Sequence, residues 1–252
     1  YLLGSHSGCC GLWTSGPDLD WVPESYKIKA DNGKVYNRMT TVNGLFTSGD
    51  GVGCSGHKFS SGSHAEGRMT AKQMVRYAAD HADFTPALSQ SKEELVDMVY
   101  KPVRVYLDNC EYTTATDINP NYMKPNGMMY RLMKATHEYG AGTATFYMTS
   151  SKSLEIVMDL LQLMRDDCEK LAAGDLHELL RAWEIMHRIW TVEAHLRHIQ
   201  FRKETRYPGF YYQADYPGQD DENWFAFVNS KFDPKGKTWD VFKREYVKII
   251  PD

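Results

Sequence analysis

Asn43–Arg68 reads NGLFTSGDGVGCSGHKFSSGSHAEGR, and the fold of the chain turns on this stretch. A short apolar run, Leu45-Phe46-Thr47, is predicted as a strand on the edge of a nucleotide-binding sheet. It ends at Gly49-Asp50-Gly51, and a loop of Gly and Ser then enters a helix predicted from Ala65 to about His81. Small residues leave the backbone bare, and a bare backbone at a helix N-terminus offers N–H donors to a polar ligand. Ser60-Ser61-Gly62-Ser63 holds more hydroxyls than one N-cap needs. The surplus points to N–H groups that meet an electron-rich partner at the positive end of the helix. Asp50 has two readings on sequence alone. An ionised carboxylate there accepts from ribose or ribityl hydroxyls, or it closes a turn, where Asp and Gly are common. Met69, Met74, Val75 and Ala78 are expected toward one side of the helix.

On the N-terminal side, residues 1–17 form a Gly/Ser-rich loop whose ionisable group suited to chemistry is His6. A His in such a loop reads first as a surface or structural side chain, with a chemical role as the alternative. Tyr26 to Thr40 reads as a hairpin about Asp31-Asn32-Gly33. The opening Tyr1-Leu2-Leu3-Gly4 has no initiator Met and no signal-peptide pattern, so the sequence reads as a fragment.

On the C-terminal side the pattern becomes helical. Ser91-Lys92-Glu93-Glu94 is an N-cap with an acidic first turn, and Pro102 interrupts the helix that follows. Residues 108–127 are expected to be a loop. Further helices are predicted from Asn126 or Gly127 to about Tyr139, from Ser151 to Ala173 and from Leu176 to about Thr205, with Asp175 as the last cap. The last one carries Leu176, Leu180, Trp183, His187, Trp190, Ala194 and Arg197 along one side. Three such helices predict an antiparallel bundle. His195 and His198 are close enough in sequence to share a ligand, but no acidic residue completes a metal pattern, so no metal site is expected. Arg206 to Asp252 is expected to be an extended, aromatic-rich tail, with Trp239 to Ile250 alternating as a strand or arm.

Composition narrows the classes. Across 252 residues, 42% hydrophobic and 25% charged content suits a soluble globular protein with a sizeable core. A net charge of -4 argues against a nucleic-acid partner held by bulk electrostatics. No apolar run is long enough for a membrane span. Five cysteines with no C-x-x-C pair argue against a disulfide framework and against an iron–sulfur or zinc site within the chain, and favour a reducing cytoplasm. The expected class is α+β. A division near residue 88 is expected, with 89–252 a helical domain and its tail.

Several motifs together resemble the fumarate reductase/succinate dehydrogenase flavoprotein superfamily. They are His6-Ser7-Gly8-Cys9-Cys10-Gly11 for a His loop, Ser48-Gly49-Asp50 for a strand ending A-G-E, Glu204-Thr205-Arg206, and Asp215-Tyr216-Pro217 followed by Asp220-Asp221-Glu222-Asn223-Trp224. Dicarboxylate enzymes of that superfamily carry an Arg in G-A-N-R-L-G as a carboxylate clamp, where this chain places Phe59. An aromatic face suits a nucleobase better than a small dicarboxylate. GSHSGCCGLWTSGP, GVGCSGHKFSSGSHAEGR, DLHELLRAWE and RYPGFYYQADYPG narrow the resemblance to the C-terminal portion of the alpha subunits of dissimilatory adenylylsulfate (APS) reductases.

That resemblance implies a cytoplasmic heterodimeric flavoprotein, with non-covalent FAD here and [4Fe–4S] clusters in an iron–sulfur beta subunit. It implies reversible reduction of APS to sulfite and AMP through a flavin N5–sulfite adduct. His6 becomes the active-site His and a substrate contact, and Phe59 a wall of the adenosine or flavin pocket. Gly49 and Asp50 fall at the FAD ribityl chain, and Ser61, Gly62, Ser63 and His64 at the flavin N1/O2 edge. A fumarate reductase-like or aspartate oxidase-like enzyme, and a non-catalytic helical interaction module, are the alternatives.

Overall fold

The computed structural model describes residues 11–53, 60–112, 119–206 and 211–248. The chain is α+β and divides into two compact units. One holds the described residues up to Ala87 together with Val247 and Lys248, and the other is Leu88–Tyr246.

The first unit is mostly turns pinned to one long helix, α1 (Ser60–Asp80). The expected hairpin about Gly33 closes with a single antiparallel bridge, Lys29 to Val35. Leu45-Phe46-Thr47 is likewise no sheet strand: Phe46 makes one antiparallel bridge, to Met39. Backbone pairing is replaced by packing. Tyr36 and Met39, both fully buried, form a small core with Ala30, flanked by Ile28, Phe46 and Tyr77. Tyr77 on α1 meets Tyr36 and Phe46 edge-on, at 5.1 and 5.8 Å between ring centroids. The Tyr36 hydroxyl donates to Asp80 at 2.7 Å, so the aromatic contact and a hydrogen bond hold the same end of the helix.

α1 starts earlier than expected and packs a different side. Met69, Met74 and Val75 are exposed, whereas its buried residues are Glu66 and Thr70. The packed stripe therefore runs through Glu66, Thr70, Gln73 and Tyr77, at helical spacing but partly polar. Its neighbours at the N-terminal end are backbone groups of a turn, which call for hydrogen-bonding side chains rather than apolar ones.

The second unit is a helical bundle. Ser91 and Glu94 close a reciprocal capping box on α2 (Lys92–Val99). Pro102 then sits in the first turn of α3 (Lys101–Asn109), where a missing N–H costs nothing. α3 and a short 3-10 turn to Tyr112 occupy part of the expected loop. α4 (Pro125–Tyr139), α5 (Ser151–Asp167) and α6 (Leu176–Phe201) pack against one another. Met128 and Leu132 on α4, Leu154, Val157 and Leu161 on α5, and Ile185, Ile189 and Leu196 on α6 fill the core. Ser150 and Asp175 cap α5 and α6 by accepting from Ser153 and Glu178 backbone N–H groups. The core face of α6 is Leu179, Ala182, Ile185, Ile189, Leu196 and Ile199. The stripe beginning Leu176 and Leu180 faces out, at 71% and 56% exposure.

The segment after α6 folds back rather than running extended. β1 (Met148–Thr149) pairs in parallel with β2 (Tyr212–Gln213). A one-turn helix, α7 (Asp221–Trp224), leads into an antiparallel hairpin of β3 (Ala226–Asp233) and β4 (Thr238–Glu245). The first of those strands is absent from the sequence reading.

Candidate functional site

Of the site residues singled out in the sequence, Gly49 and Asp50 lie on one turn and Ser61, Gly62, Ser63 and His64 on one helix end, both in the first unit. Gly49–Gly51 forms a single 3-10 turn that follows extended Ser48. Gly49 has φ +61°, a conformation that L side chains adopt at a cost. A Cβ built there would stand 3.2 Å from the Ser63 hydroxyl, so turn and helix meet at close range. Val52, fully buried, anchors the far side. Leu12 and Val52 form a parallel bridge, with Leu12 N–H donating to the Gly51 carbonyl at 2.8 Å and Gly53 N–H to the Leu12 carbonyl at 3.0 Å. Bare glycine backbone makes that approach possible: a Cβ on Gly11 would sit 2.5 Å from the Val52 carbonyl carbon.

Within this frame Asp50 is an exposed residue of the turn, and an ionised carboxylate is an acceptor for hydroxyl donors. Ser61, Gly62, Ser63 and His64 occupy the first turns of α1, and the helix begins at Ser60, five residues before the expected start. The N–H groups of a first turn have no partners within their own helix and carry its positive end. The turn and helix end together can hold a ligand with hydroxyls at one point and an electron-rich edge at another. His6 and Phe59 lie outside the described residues; the described chain resumes at Gly11, five positions after His6.

Two residues missed by the sequence reading complete the frame. Glu66, only 5% exposed, accepts the Gly49 N–H at 2.8 Å. Arg38 places its guanidinium 3.5 Å from the other Glu66 oxygen. Hydrophobic periodicity is silent on both, and Glu66 lies in the second turn of α1, beyond the first-turn positions where an acid signals a helix N-terminus.

The motif residues of the second unit do a different job. Glu204, fully buried, accepts from Arg202, from Arg206 at 2.6 Å and from the Asp220 N–H at 2.9 Å. Burial pushes its carboxyl upward in pKa, and these three donors outweigh that and hold it below the usual range. Thr205 accepts from Gln213 N–H and donates to the Tyr216 carbonyl. Asp220 caps α7 through Asn223. Glu204-Thr205-Arg206 is thus a hub that fixes the Asp215–Trp224 segment. His198 pairs with the Ser230 hydroxyl at 2.9 Å, and no cluster of three metal-ligating side chains occurs among the described residues. No helix among them is long and apolar enough to cross a membrane.

No protein-family model matches the chain. The adenylylsulfate reductase alpha subunit of Megalodesulfovibrio gigas is 57% identical over the whole chain, which spans 38% of that relative's length. The adenylylsulfate reductase structure of Archaeoglobus fulgidus superposes with a TM-score of 0.90 at 47% identity, covering 98% of this chain and 38% of that one. A solved adenosine-5-phosphosulfate reductase carrying sulfite as a covalent adduct matches to the same extent. An E. coli quinol fumarate reductase FrdA chain shares the fold, with a TM-score of 0.62 at 16% identity over 85% of this chain.

Proposed function

We propose that this chain, a homologue over its whole length of part of the adenylylsulfate reductase alpha subunit, supplies one side of an FAD site that reduces adenylylsulfate to sulfite and AMP. The observation that carries this reading is the likeness itself: 57% identity over 251 residues, and a TM-score of 0.90 to a solved relative of that name. A solved adenosine-5-phosphosulfate reductase that matches the chain equally well holds sulfite as a covalent adduct, which fits a sulfur chemistry.

The turn and helix end fit the proposed cofactor. FAD, when bound non-covalently, supplies the two-electron chemistry. Asp50 accepts from its ribityl hydroxyls, beside Gly49. The N-terminal turn of α1 at Ser61, Gly62, Ser63 and His64 meets the electron-rich edge of the isoalloxazine, where the positive helix end stabilises negative charge. His6 would donate to the oxygen that bridges phosphate and sulfate, where charge grows as the S–O bond breaks and AMP leaves. Phe59 offers its ring face to the adenine or flavin, in place of the carboxylate clamp of dicarboxylate enzymes. Residues 1–88 are read as the C-terminal segment of the FAD-binding domain and 89–252 as the helical domain. An iron–sulfur beta subunit is the electron donor, and the cytoplasm is the site of action.

The test uses the complete alpha subunit with its partner. Sulfite should bleach the visible flavin absorbance, and AMP should alter that response. Succinate-dependent dye reduction without any response to sulfite would overturn the proposal in favour of a dicarboxylate enzyme.

A further inference from the structure

Glu66 is an unusual residue to bury on the packed side of a helix. A carboxylate withdrawn from water is destabilising unless its oxygens are hydrogen-bonded or paired. Here one oxygen accepts the Gly49 N–H at 2.8 Å, and the other faces the Arg38 guanidinium at 3.5 Å. Arg38 itself is set by the backbone: at φ +71° its N–H donates to the Ser15 carbonyl, and its carbonyl accepts from Thr47 at 3.3 Å. The countercharge is therefore part of the turn scaffold.

Gly49 is held from both sides. Its N–H goes to Glu66, and its carbonyl accepts from Val52 N–H at 3.1 Å. Ser63, three residues before Glu66 and so on the same helix side, closes over the Gly49 Cα. The peptide orientation at Gly49 determines where the next residue, Asp50, aims its carboxylate. Any shift of α1 relative to the turn would move Asp50 away from the Ser61–His64 end.

We infer that Glu66 is a positioning residue. By binding the Gly49 N–H it locks the Asp50 turn to the N-terminus of α1, so that the two sets of flavin contacts act as one rigid clamp. The inference rests on the FAD reading above and deepens it. The action of Glu66 is indirect, through the Gly49 N–H. Preorganised contacts of this kind slow dissociation, because release requires no fewer bonds to break but leaves less slack to break them singly.

The experiment compares wild-type, Glu66→Ala, Glu66→Gln and Glu66→Asp forms of the complete alpha subunit. Release of FAD is followed by the rise of free-flavin fluorescence, and unfolding by circular dichroism. Glutamine keeps an oxygen for the Gly49 N–H, whereas alanine removes it and aspartate falls short by one methylene. Loss of a buried hydrogen bond to a charged acceptor should speed FAD release about tenfold in the alanine variant. The glutamine variant should stay within about threefold of wild type. Should alanine prevent folding, aspartate carries the test, with faster release expected. Unchanged release in alanine or aspartate, or equal acceleration in alanine and glutamine, overturns the inference. Wild type that binds no FAD overturns the functional reading instead, so the two failures are distinct.

Discussion

The His81 Nε2 lies 3.0 Å from Asp31 Oδ1, joining the end of α1 to the tip of the Gly33 turn fifty residues earlier. The other ring nitrogen faces the Tyr77 carbonyl at 2.8 Å, and the ring stacks on Tyr77 at 3.9 Å. Both partners are acceptors, so the doubly protonated imidazolium satisfies them best.

This pair gives the first unit a pH-dependent stability. The Asp31 hydrogen bond, helped by the Tyr77 carbonyl, raises the His81 pKa above its ordinary 6.5. His81 in turn lowers Asp31 below 3.8. The raised group stabilises fully below 6.5, and its contribution is lost as pH climbs through the raised value. The lowered group contributes above 3.8 and is lost as pH falls through the lowered value. The thermal midpoint should decline as pH climbs above 6.5 and through the raised value, and His81→Gln should flatten that decline. Equal slopes for the two proteins would remove the pair from the account.

In the bundle, Glu193 is 1% exposed among apolar neighbours and is held by Arg165 from α5 and by Arg197 one turn along α6, at 2.7 Å. Removing its charge leaves two guanidinium groups packed together. Glu193→Gln should cost about 2–4 kcal/mol of stability, read from chemical denaturation. A cost below about 0.5 kcal/mol would class the cluster with surface ion pairs.

How far the sequence foretold this depends on which physics each feature obeys. Helix starts are local, so Ser91 and Asp175 were legible from capping chemistry alone, whereas α5 stops at Asp167 rather than at the expected Ala173. The bundle was legible for the same reason. The core side of α6 was not: Leu176-Leu180-Trp183-His187 and Leu179-Ala182-Ile185-Ile189 both recur at helical spacing, and only the neighbouring helices choose between them. On α1 the apolar residues misled, because the turn at Gly49 demanded a carboxylate. Asp50 and Ser61–His64 were proposed from glycine and serine texture. Glu66 and Arg38 escaped, since one serves a backbone N–H and the other serves that carboxylate, and neither role leaves a pattern of its own.

Cys168 shows the reverse of an active thiol. Burial, then the charges of Glu169 and Asp167, push its pKa up to about 11. At pH 8 roughly one molecule in a thousand would carry the thiolate that alkylating reagents need. Native protein treated with iodoacetamide should leave Cys168 unmodified by peptide mass spectrometry, with labelling after denaturation. Rapid native labelling would contradict the buried setting.

The proposed chemistry places its heaviest demand on His6 and a lighter one on Phe59. In the complete heterodimer, His6→Ala should lower turnover about a hundredfold with FAD still bound. Phe59→Leu should weaken apparent AMP affinity by about threefold to tenfold, through loss of ring stacking. Wild-type turnover in the first, or unchanged affinity in the second, would strike that residue from the site.

The closest backbone contact in the site yields a contrast between two glycines with left-handed φ. Gly33, at φ +77°, has open space where a Cβ would go, so Gly33→Ala adds only backbone strain of about 1 kcal/mol. Gly11, at φ +142°, would drive its Cβ to 2.5 Å from the Val52 carbonyl carbon and 2.6 Å from the Gly53 nitrogen. Neither is a side chain that can rotate away, so the Leu12–Val52 bridge must open and carry the Asp50 turn with it. Gly11→Ala should cost more than about 2 kcal/mol and weaken FAD retention, whereas Gly33→Ala should leave retention intact. Denaturation midpoints and FAD release rates measured on the two variants side by side decide the matter. Equal behaviour would mean that the Gly11 contact is looser than 2.5 Å and that the Asp50 turn does not depend on it.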